Sequence, residues 1–305
     1  MDAEQQRQVF EVVQSKSKGM PVSMCRLGGG YYADVYLVTM EAAAPVVAKV
    51  YKTQGLMQRE AEQIAVLQAH ALFPMPEILW THNGNEQFAS DILAMEYLPG
   101  KNGGGLFYFS RKKRDQIGNQ VIDNLLAWHN TENSAGFGEI GDHSRLYATW
   151  QAYYAPRAEQ ILKMAETLCA KKQLDKKVYS IMETALTRFD QIFCIVIPKS
   201  ALIHGDYNMW NILVDKKAAR VTAVIDPCNC MWGDREMDLY QLENANGKHF
   251  HLLERYRERC PLSDNFCAKT AFYELFTEIE HYYCSGHTVV EKRITKQASA
   301  LQKFL

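Results

Sequence analysis

The stretch from residue 201 to residue 226, ALIHGDYNMWNILVDKKAARVTAVID, constrains the fold of this chain more than any other. It contains three short apolar runs, and runs of this length bounded by turn residues predict strands. The runs are residues 201–203, 212–214 and 221–225. Asp206 and Asn211 lie between the first two runs, and Asp226 follows the third. We therefore expect one small β unit to hold two carboxylates and an amide close together.

The oxygen atoms of these three side chains suit phosphoryl transfer. Asp206 could accept the proton of an attacking hydroxyl group, while Asn211 and Asp226 offer the hard oxygen ligands that Mg²⁺ prefers. The alternative is an ordinary hairpin with polar loop residues, because Asp and Asn are common in turns. The full spacing favours the site, since Asn211 follows Asp206 by five positions and a carboxylate ends the next hairpin.

This spacing resembles the catalytic core of the protein-kinase-like small-molecule phosphotransferases. That group includes the aminoglycoside phosphotransferases, choline kinases and fructosamine kinases. The shared pattern is the His-Gly-Asp run at 204–206, then Asn211, then Asp226. The resemblance implies that Asp206 is the catalytic base and that Asn211 and Asp226 hold the metal ions. It also implies that the protein uses ATP and Mg²⁺.

The same resemblance implies an α+β fold with two lobes, as in protein kinases. The small β-rich N-terminal lobe would span residues 1–100 and carry a glycine-rich loop, a phosphate-binding lysine and the hinge. The larger, mostly helical C-terminal lobe would span residues 101–305 and carry the catalytic loop and the substrate site. A chain of 305 residues with 47% apolar composition is long enough to build two such lobes.

The residues after Asp226 indicate a small acceptor rather than a polypeptide. Only twelve positions separate Asp226 from Asp238, which leaves no room for the activation segment of protein kinases. The block GDREMDL at 233–239 resembles the pattern that fructosamine kinases show at this distance from the metal-binding Asp. Within this block, Asp234 and Arg235 are candidates for contact with the substrate.

A second group of motifs, near the N-terminus, indicates a nucleotide site. Gly28, Gly29 and Gly30 lie between two predicted strands, where glycine allows the backbone to approach a phosphate closely. A glycine triplet alone is common in loops, but Lys49 follows in the next apolar run, VVAKV. This order resembles the way in which kinases cover ATP and contact its α- and β-phosphates. The triplet itself is similar to the glycine cluster of fructosamine kinases.

Two further elements complete the expected nucleotide site. Glu60, in a predicted helix, is expected to orient Lys49 through the ion pair that this fold uses, and Glu62 is its rival. The apolar strand ILAMEYL would lead into the hinge between the lobes. There, backbone groups of Glu96 to Leu98 would pair with adenine.

The acceptor site is expected in the helical segment ahead of the catalytic loop. Trp150, Tyr154 and Arg157 lie at helical spacing and resemble a Trp, an aromatic residue and an Arg in fructosamine kinases. Such side chains suit a sugar-like or anionic group. The alternative is a stripe of core aromatic residues on a helix. Glu274, Glu278 and Glu280 could face a cationic acceptor, although a solvated helix face explains them as well.

Composition and charge argue against several other classes of protein. Lys plus Arg (34) nearly balances Asp plus Glu (35), which favours neither nucleic acid nor a membrane surface as a partner. No apolar run is long enough to cross a bilayer, and the polar N-terminus is unlike a secretory signal. The eight cysteines are scattered, and Cys228 and Cys230 lack the second pair that a zinc site needs. We expect reduced thiols and a cytoplasmic protein.

The sequence therefore predicts an ATP- and Mg²⁺-dependent kinase of a small hydroxylated metabolite, most similar to fructosamine kinases. Phosphorylation of aminoglycosides or other amino sugars is the alternative within the same class of enzyme. A nucleotide-binding regulator without catalytic activity is the alternative from another class. The joint presence of Lys49, Asp206, Asn211 and Asp226 argues against a regulator. The acceptor, the preferred nucleotide and the oligomeric state are left open by the sequence.

Overall fold

The N-terminal part of the chain folds into a five-stranded antiparallel sheet. The computed structural model describes residues 3–30, 32–86, 88–105, 109–141, 145–285 and 291–305. The strands are β1 (Pro21–Gly29), β2 (Ala33–Met40), β3 (Val46–Tyr51), β4 (Ile78–His82) and β5 (Ile92–Glu96). Their order across the sheet is β1-β2-β3-β5-β4. Helix α1 (Ala3–Lys16) precedes the sheet, and helix α2 (Leu56–Gln68) connects β3 to β4.

The two faces of this sheet are covered by different helices, and β3 shows why. Side chains alternate between faces along a strand. Val46, Ala48 and Val50 are buried in a cluster with two valines of α1. Tyr51 belongs to a separate cluster with apolar residues of α2. Alternation therefore places Lys49 on the face that α2 covers.

Helices dominate the C-terminal part of the chain. In chain order they are α3 (Arg111–His129), α4 (Trp150–Ala170), α5 (Lys176–Thr187), α6 (Phe189–Ile192), α7 (Leu252–Arg259), α8 (Phe266–Ser285) and α9 (Glu291–Leu301). Short 3₁₀ helices cover Gly103–Gly105, Arg235–Glu243, Gly247–Phe250 and Gln302–Phe304. Phe272, Tyr273 and Phe276 of α8 are buried in one cluster with side chains of α4, α5 and α9. Helix α8 is therefore central to the core of this part.

Two small sheets lie within the helical part and carry the loops of the site. One has the order β11-β10-β6 and consists of β6 (Lys101–Asn102), β10 (Ile212–Asp215) and β11 (Arg220–Val224). The other has the order β7-β9-β12-β8 and consists of β7 (Glu132–Asn133), β8 (Gly138–Glu139), β9 (Ser200–Ile203) and β12 (Met231–Gly233). Because β9 pairs with β12 and β10 pairs with β11, the loops 204–211 and 225–230 connect the same two sheets side by side.

This architecture confirms the predicted α+β class, with a β-rich N-terminal part and a helical C-terminal part. The three strands expected between residues 201 and 225 are present, but they do not form one β unit, because β9 pairs in a different sheet from β10 and β11. Strand β12 is absent from the sequence prediction, and the helix expected to start near Leu239 is a 3₁₀ helix that begins at Arg235. The division of the chain at residue 100 stays a prediction. No helix in the described ranges is long and apolar enough to cross a membrane.

Candidate active site

The loops 204–211 and 225–230 approach each other so closely that one position must be glycine. Gly205 has a φ of +80°, in the left-handed region. A Cβ atom built there would lie 1.9 Å from the carbonyl oxygen of Cys228. The backbone conformation and the lack of space therefore both exclude a side chain. The close approach of Gly205 to the backbone of Cys228 holds Asp206 and Asp226 in adjacent loops.

Asp206 lies partly buried between these loops. Its Oδ1 atom accepts a hydrogen bond from Nδ2 of Asn208 at 2.7 Å, and its Oδ2 atom accepts one from Nδ2 of Asn211 at 2.9 Å. Burial, followed by the negative charge of Asp226, raises the pKa of Asp206 to about 7, against the opposing effect of the two hydrogen bonds. The carboxylate is thus oriented by two amides and has a pKa in the range that suits a general base.

Asp226 joins the C-terminal loops to the N-terminal sheet. It has a φ of +59°, which is uncommon for a residue with a side chain. Its Oδ1 atom lies 2.5 Å from Nζ of Lys49. Desolvation opposes ionisation of Asp226 although 52% of its side chain is exposed, but the charge and the hydrogen bond of Lys49 outweigh it, so the pKa of Asp226 lies below its ordinary value. The two parts of the chain therefore meet at an ion pair.

Lys49 has a second carboxylate partner in α2. Its Nζ atom lies 2.7 Å from Oε1 of Glu60, and the hydroxyl group of Tyr51 donates a hydrogen bond of 2.7 Å to Oε2 of Glu60. This is the ion pair expected from the sequence, and Glu60 rather than Glu62 forms it. Tyr51, which sequence analysis does not identify, fixes the orientation of the Glu60 carboxylate.

The oxygen atoms beside Asp206 fit a magnesium ion. Asn211 donates through Nδ2 to the backbone oxygen and to Oδ2 of Asp206, which leaves its Oδ1 atom as a ligand. Asp226 contacts Lys49 through its Oδ1 atom, which leaves its Oδ2 atom as a ligand for the metal ion. Mg²⁺ commonly binds one or two carboxylates together with substrate phosphates. Among the residues that the structure describes, no group of three or more His, Cys, Asp or Glu side chains could hold a metal ion.

The three glycines lie where β1 turns into β2. Gly28 and Gly29 end β1, and the amide of Gly30 donates a hydrogen bond of 2.9 Å back to β2. A Cβ atom at Gly29 would collide with the ion pair of Arg26 and Asp34. A Cβ atom at Gly28 or Gly30 would meet no described atom within 4 Å. Packing therefore does not explain glycine at these two positions, whereas close approach of a phosphate would.

The segment after β5 is expected to form the hinge. The amide of Glu96 donates a hydrogen bond of 2.9 Å to the carbonyl oxygen of Glu77, so a nucleotide base could use only the carbonyl group of Glu96. Glu96 is exposed and Leu98 is partly buried. The contact of these two residues with adenine stays a prediction.

Asp238 anchors the loop 204–211, the candidate catalytic loop, although sequence analysis does not identify it as a site residue. Its buried Oδ2 atom accepts a hydrogen bond from the amide of His204 at 2.8 Å, and Oδ1 accepts one from the amide of Gly205 at 2.7 Å. Nε2 of His129 lies 3.2 Å from the same carboxylate. A carboxylate within the apolar run DLYQL is the signal that could have identified it, because a buried charge requires partners.

Trp150 and Tyr154 lie in the core instead of in an acceptor pocket. They are 0% and 1% exposed, and their rings stack with centroids 5.0 Å apart. Nε1 of Trp150 also donates a hydrogen bond of 2.7 Å to the hydroxyl group of Tyr273. The structure therefore does not support their contact with an acceptor. It agrees with the alternative interpretation, a stripe of core aromatic residues.

Asp234 and Arg235 are also bound within the C-terminal part. The buried Oδ2 atom of Asp234 lies 2.7 Å from Nζ of Lys269. Arg235 donates hydrogen bonds of 2.7 Å to the sulfur of Cys260 and to the carbonyl oxygen of Pro261. Because both side chains are committed to the fold, the structure does not support either as a substrate ligand.

Arg157 does lie beside the loop that follows Asp226. It donates a hydrogen bond of 3.3 Å to Oδ1 of Asn229, and it pairs with Glu280 at 2.9 Å and with Glu139 at 2.6 Å. Its side chain is only 13% exposed. Two carboxylates balance its charge, so Arg157 has little capacity left to bind an anionic acceptor.

The acidic residues of α8 do not form a solvated face. Glu274 is partly buried and accepts a hydrogen bond of 3.1 Å from Nε2 of Gln297. Glu278 is buried and pairs with Arg293, while Glu280 is partly buried and pairs with Arg157. A cationic acceptor would therefore have to compete with an arginine for the carboxylate of Glu278 or of Glu280.

Comparisons with known proteins identify the family. The sequence model of APH, the phosphotransferase enzyme family, matches residues 23–256. Among curated relatives, the uncharacterized protein YcbJ from Escherichia coli strain K12 is 22% identical over 247 residues, which cover 79% of this chain and 80% of that protein. The probable ketoamine kinase YniA from the same strain is 24% identical over 241 residues, which cover 77% of each.

Solved structures show the same fold. A putative fructosamine-3-kinase from Thermobifida fusca YX-ER1 superimposes with a TM-score of 0.69 and 21% identity, over 97% of this chain and 98% of that one. The GDP and kanamycin complex of APH(2″)-IIia superimposes with a TM-score of 0.67 and 15% identity, over 97% of each chain. The fold, the site and the match over residues 23–256 agree, and the chain belongs to the phosphotransferase enzyme family.

Proposed function

We propose that this phosphotransferase is an ATP- and Mg²⁺-dependent kinase that phosphorylates a hydroxyl group of a ketosamine, a sugar derivative of the fructosamine type. One observation carries the proposal: Lys49 lies 2.5 Å from Asp226, beside the loop in which Asn211 lies 2.9 Å from Asp206. The cluster joins a phosphate-binding cation, two oxygen ligands for a metal ion and a base. Phosphoryl transfer requires these groups.

Each residue of this cluster has a role that its position supports. Lys49, held by Glu60, would bind the phosphates of the nucleotide. Asn211 and Asp226 would hold Mg²⁺, which neutralises charge on the transferring phosphoryl group when it is bound. Asp206, with a pKa raised to about 7, would orient the acceptor hydroxyl group and take its proton. Positioning of these groups supplies most of the catalysis in reactions of this type.

The chain between Asp226 and Asp238 supports a small acceptor. Strand β12 is paired on both edges, and the 3₁₀ helix 235–243 follows it after one residue. Neither element could present an extended peptide as an activation segment does. A glycated lysine on a protein surface is the macromolecular acceptor compatible with this site, since only its sugar must enter.

Two observations favour a ketosamine over an aminoglycoside. The GDREMDL block and the glycine triplet resemble those of fructosamine kinases, and one curated relative is named a probable ketoamine kinase. In addition, Glu278 and Glu280 are each paired with an arginine, which weakens their attraction for the ammonium groups of an aminoglycoside. Aminoglycoside phosphorylation is the second candidate, supported by the likeness in fold to the kanamycin complex.

A panel of acceptors tests this proposal. The protein is incubated with Mg²⁺, ATP or GTP, and either fructosyl-lysine, unmodified lysine or kanamycin, and the nucleoside diphosphate formed is measured. We expect ADP formation to rise with fructosyl-lysine and not with lysine, which lacks the sugar. Diphosphate formation with kanamycin alone would instead support the second candidate. Nucleotide binding without turnover of any acceptor would support a non-catalytic regulator.

A further inference from the structure

Glu139 connects the helix that carries Glu60 to the C-terminal side of the site. Its Oε2 atom lies 2.9 Å from Nη2 of Arg59, in α2. Its Oε1 atom accepts a hydrogen bond of 2.6 Å from Nη1 of Arg157 and one of 3.1 Å from the hydroxyl group of Tyr153. Both oxygens of this partly buried carboxylate are thus used to join α2 to α4.

Two further contacts dock α2 on the same segments. Nε2 of Gln63 donates a buried hydrogen bond of 3.3 Å to the carbonyl oxygen of Cys230, which directly precedes β12. Gly141, two residues after Glu139, has a φ of +90°, and a Cβ atom there would lie 3.1 Å from Cα of Arg59. Helix α2 therefore packs against the chain around β8 and β12, and not only against its own sheet.

The other end of this network reaches the loop beside the candidate metal site. Arg157, the second cationic partner of Glu139, pairs with Glu280 at 2.9 Å and donates to Asn229 at 3.3 Å. Asn229 lies three positions after Asp226. Glu139 thus stands between an arginine of α2 and an arginine of α4.

We propose that Glu139 is a positioning residue for Lys49. By pairing with Arg59 and Arg157 together, it holds α2, and with it Glu60, at the distance that keeps Lys49 between its two carboxylates. Without the negative charge of Glu139, Arg59 loses this partner in β8 and Arg157 keeps only Glu280, so the ionic contact that holds α2 against α4 is lost. The inference rests on the proposed function, because it takes Lys49 as the phosphate-binding residue.

Three variants and one matched control test the inference. Glu139→Gln removes the charge and keeps the size, Arg59→Met removes the partner in α2, and Arg59→Lys keeps the partner's charge. Glu132→Gln is the control. Glu132 lies in β7, at the edge of the small sheet opposite to β8, and forms an exposed ion pair with Lys199. Hydrogen–deuterium exchange of α2 is measured without nucleotide, and the Kd for ATP with Mg²⁺ is measured by calorimetry.

We expect Glu139→Gln and Arg59→Met each to accelerate amide exchange in α2 and to raise the Kd for ATP about 5- to 30-fold. The double variant should raise the Kd no further than the larger single effect, because both changes break the same contact between Glu139 and Arg59. Arg59→Lys should retain most of the affinity. Glu132→Gln should leave exchange in α2 unchanged and the Kd within about twofold of the wild type.

Glu139→Gln values equal to those of Glu132→Gln would overturn the inference. Faster exchange in α2 with an unchanged Kd would also overturn it, because α2 would then move without affecting Lys49. Fully additive effects of the Glu139→Gln and Arg59→Met changes would do the same. If the wild type bound neither ATP nor GTP, the proposed function itself would fail, and that outcome is distinct from normal binding by all variants.

Discussion

Gly205 and Asp226 lie in the two adjacent loops of the site, and both have a positive φ, of +80° and +59°. Gly205 lacks a side chain because the carbonyl oxygen of Cys228 occupies the space. Asp226 keeps its side chain, and its ion pair with Lys49 at 2.5 Å offsets the cost of its backbone conformation. At the scale of single residues, the two loops of the site therefore hold each other in place.

Replacement of Gly205 tests this steric argument. Gly205→Ala should lower the free energy of unfolding by at least about 1–2 kcal/mol, because alanine disfavours the left-handed region and its Cβ would meet a backbone oxygen. Gly30→Ala is the matched control, since a Cβ there meets no described atom within 4 Å, and its stability should change by less than about 0.5 kcal/mol. Urea denaturation followed by circular dichroism measures both. Equal stability of the two variants would contradict the argument.

The metal ligands can be tested through the magnesium dependence of ATP binding. Asp226→Ala should abolish this dependence because a carboxylate ligand is lost, and Asn211→Ala should weaken it less because an amide oxygen carries no full charge. Calorimetry with Mg²⁺ and with EDTA gives the two Kd values for ATP. Asp215→Ala, which removes the carboxylate at the end of β10 that accepts a hydrogen bond from the amide of Lys217, should behave as the wild type. A wild-type Kd that is equal in Mg²⁺ and EDTA would argue against the assigned ligands.

At the scale of elements, one lysine of α8 supports the 3₁₀ helix 235–243. Nζ of Lys269, a residue only 3% exposed, lies 2.7 Å from Oδ2 of Asp234 and 2.7 Å from Oε2 of Glu236. The same 3₁₀ helix carries Asp238, which accepts hydrogen bonds from two amides of the catalytic loop. Lys269 therefore supports that loop through an intermediate element.

Removal of this lysine should destabilise the fold. Lys269→Met leaves two carboxylates buried without their cation, and we expect a loss of about 3–5 kcal/mol in the free energy of unfolding. Lys248→Met is the matched control, because Lys248 pairs with Glu243 of the same 3₁₀ helix at 3.7 Å on the surface, and its loss should not exceed about 1 kcal/mol. Denaturant titrations compare the two. Similar small losses would mean that the buried carboxylates do not depend on Lys269.

Local spacing predicts the centre of this site, but not its surroundings. Asp206, Asn211 and Asp226 lie close together in the sequence, in loops that connect the same two small sheets, so their proximity follows from short strands and tight loops. Trp150 and Tyr154 could not be assigned in the same way, because aromatic residues at helical spacing are typical of a core and of a pocket wall alike. Their assignment depends on which face of α4 meets α8, and that is a property of the tertiary structure.

Residues that act through distant partners also escape sequence analysis. Glu139 lies in a strand of two residues, and its partners Arg59 and Arg157 are far from it in the sequence. No periodicity or motif marks such a position. Asp238 lies between these two cases. Its place in an apolar run is visible in the sequence, but the sequence does not show that it binds the amides of His204 and Gly205.

At the scale of the whole molecule, the site forms where the N-terminal sheet meets the C-terminal loops. Lys49 contacts Asp226, and α2 docks through Gln63 on the chain before β12. These contacts place the candidate phosphate-binding lysine and the candidate base in one arrangement. Such preorganisation is the main source of rate enhancement expected in phosphoryl transfer.

Transfer of a labelled phosphoryl group from ATP to fructosyl-lysine, by the wild type and by Asp206→Asn, tests the central claim most directly. Asparagine keeps the size of the side chain but cannot accept the hydroxyl proton. We expect the wild type to form labelled fructosyl-lysine phosphate. The variant should form this product at least about 10²-fold more slowly, with a nearly unchanged Kd for ATP. Labelled product formed by Asp206→Asn at the wild-type rate would contradict the account.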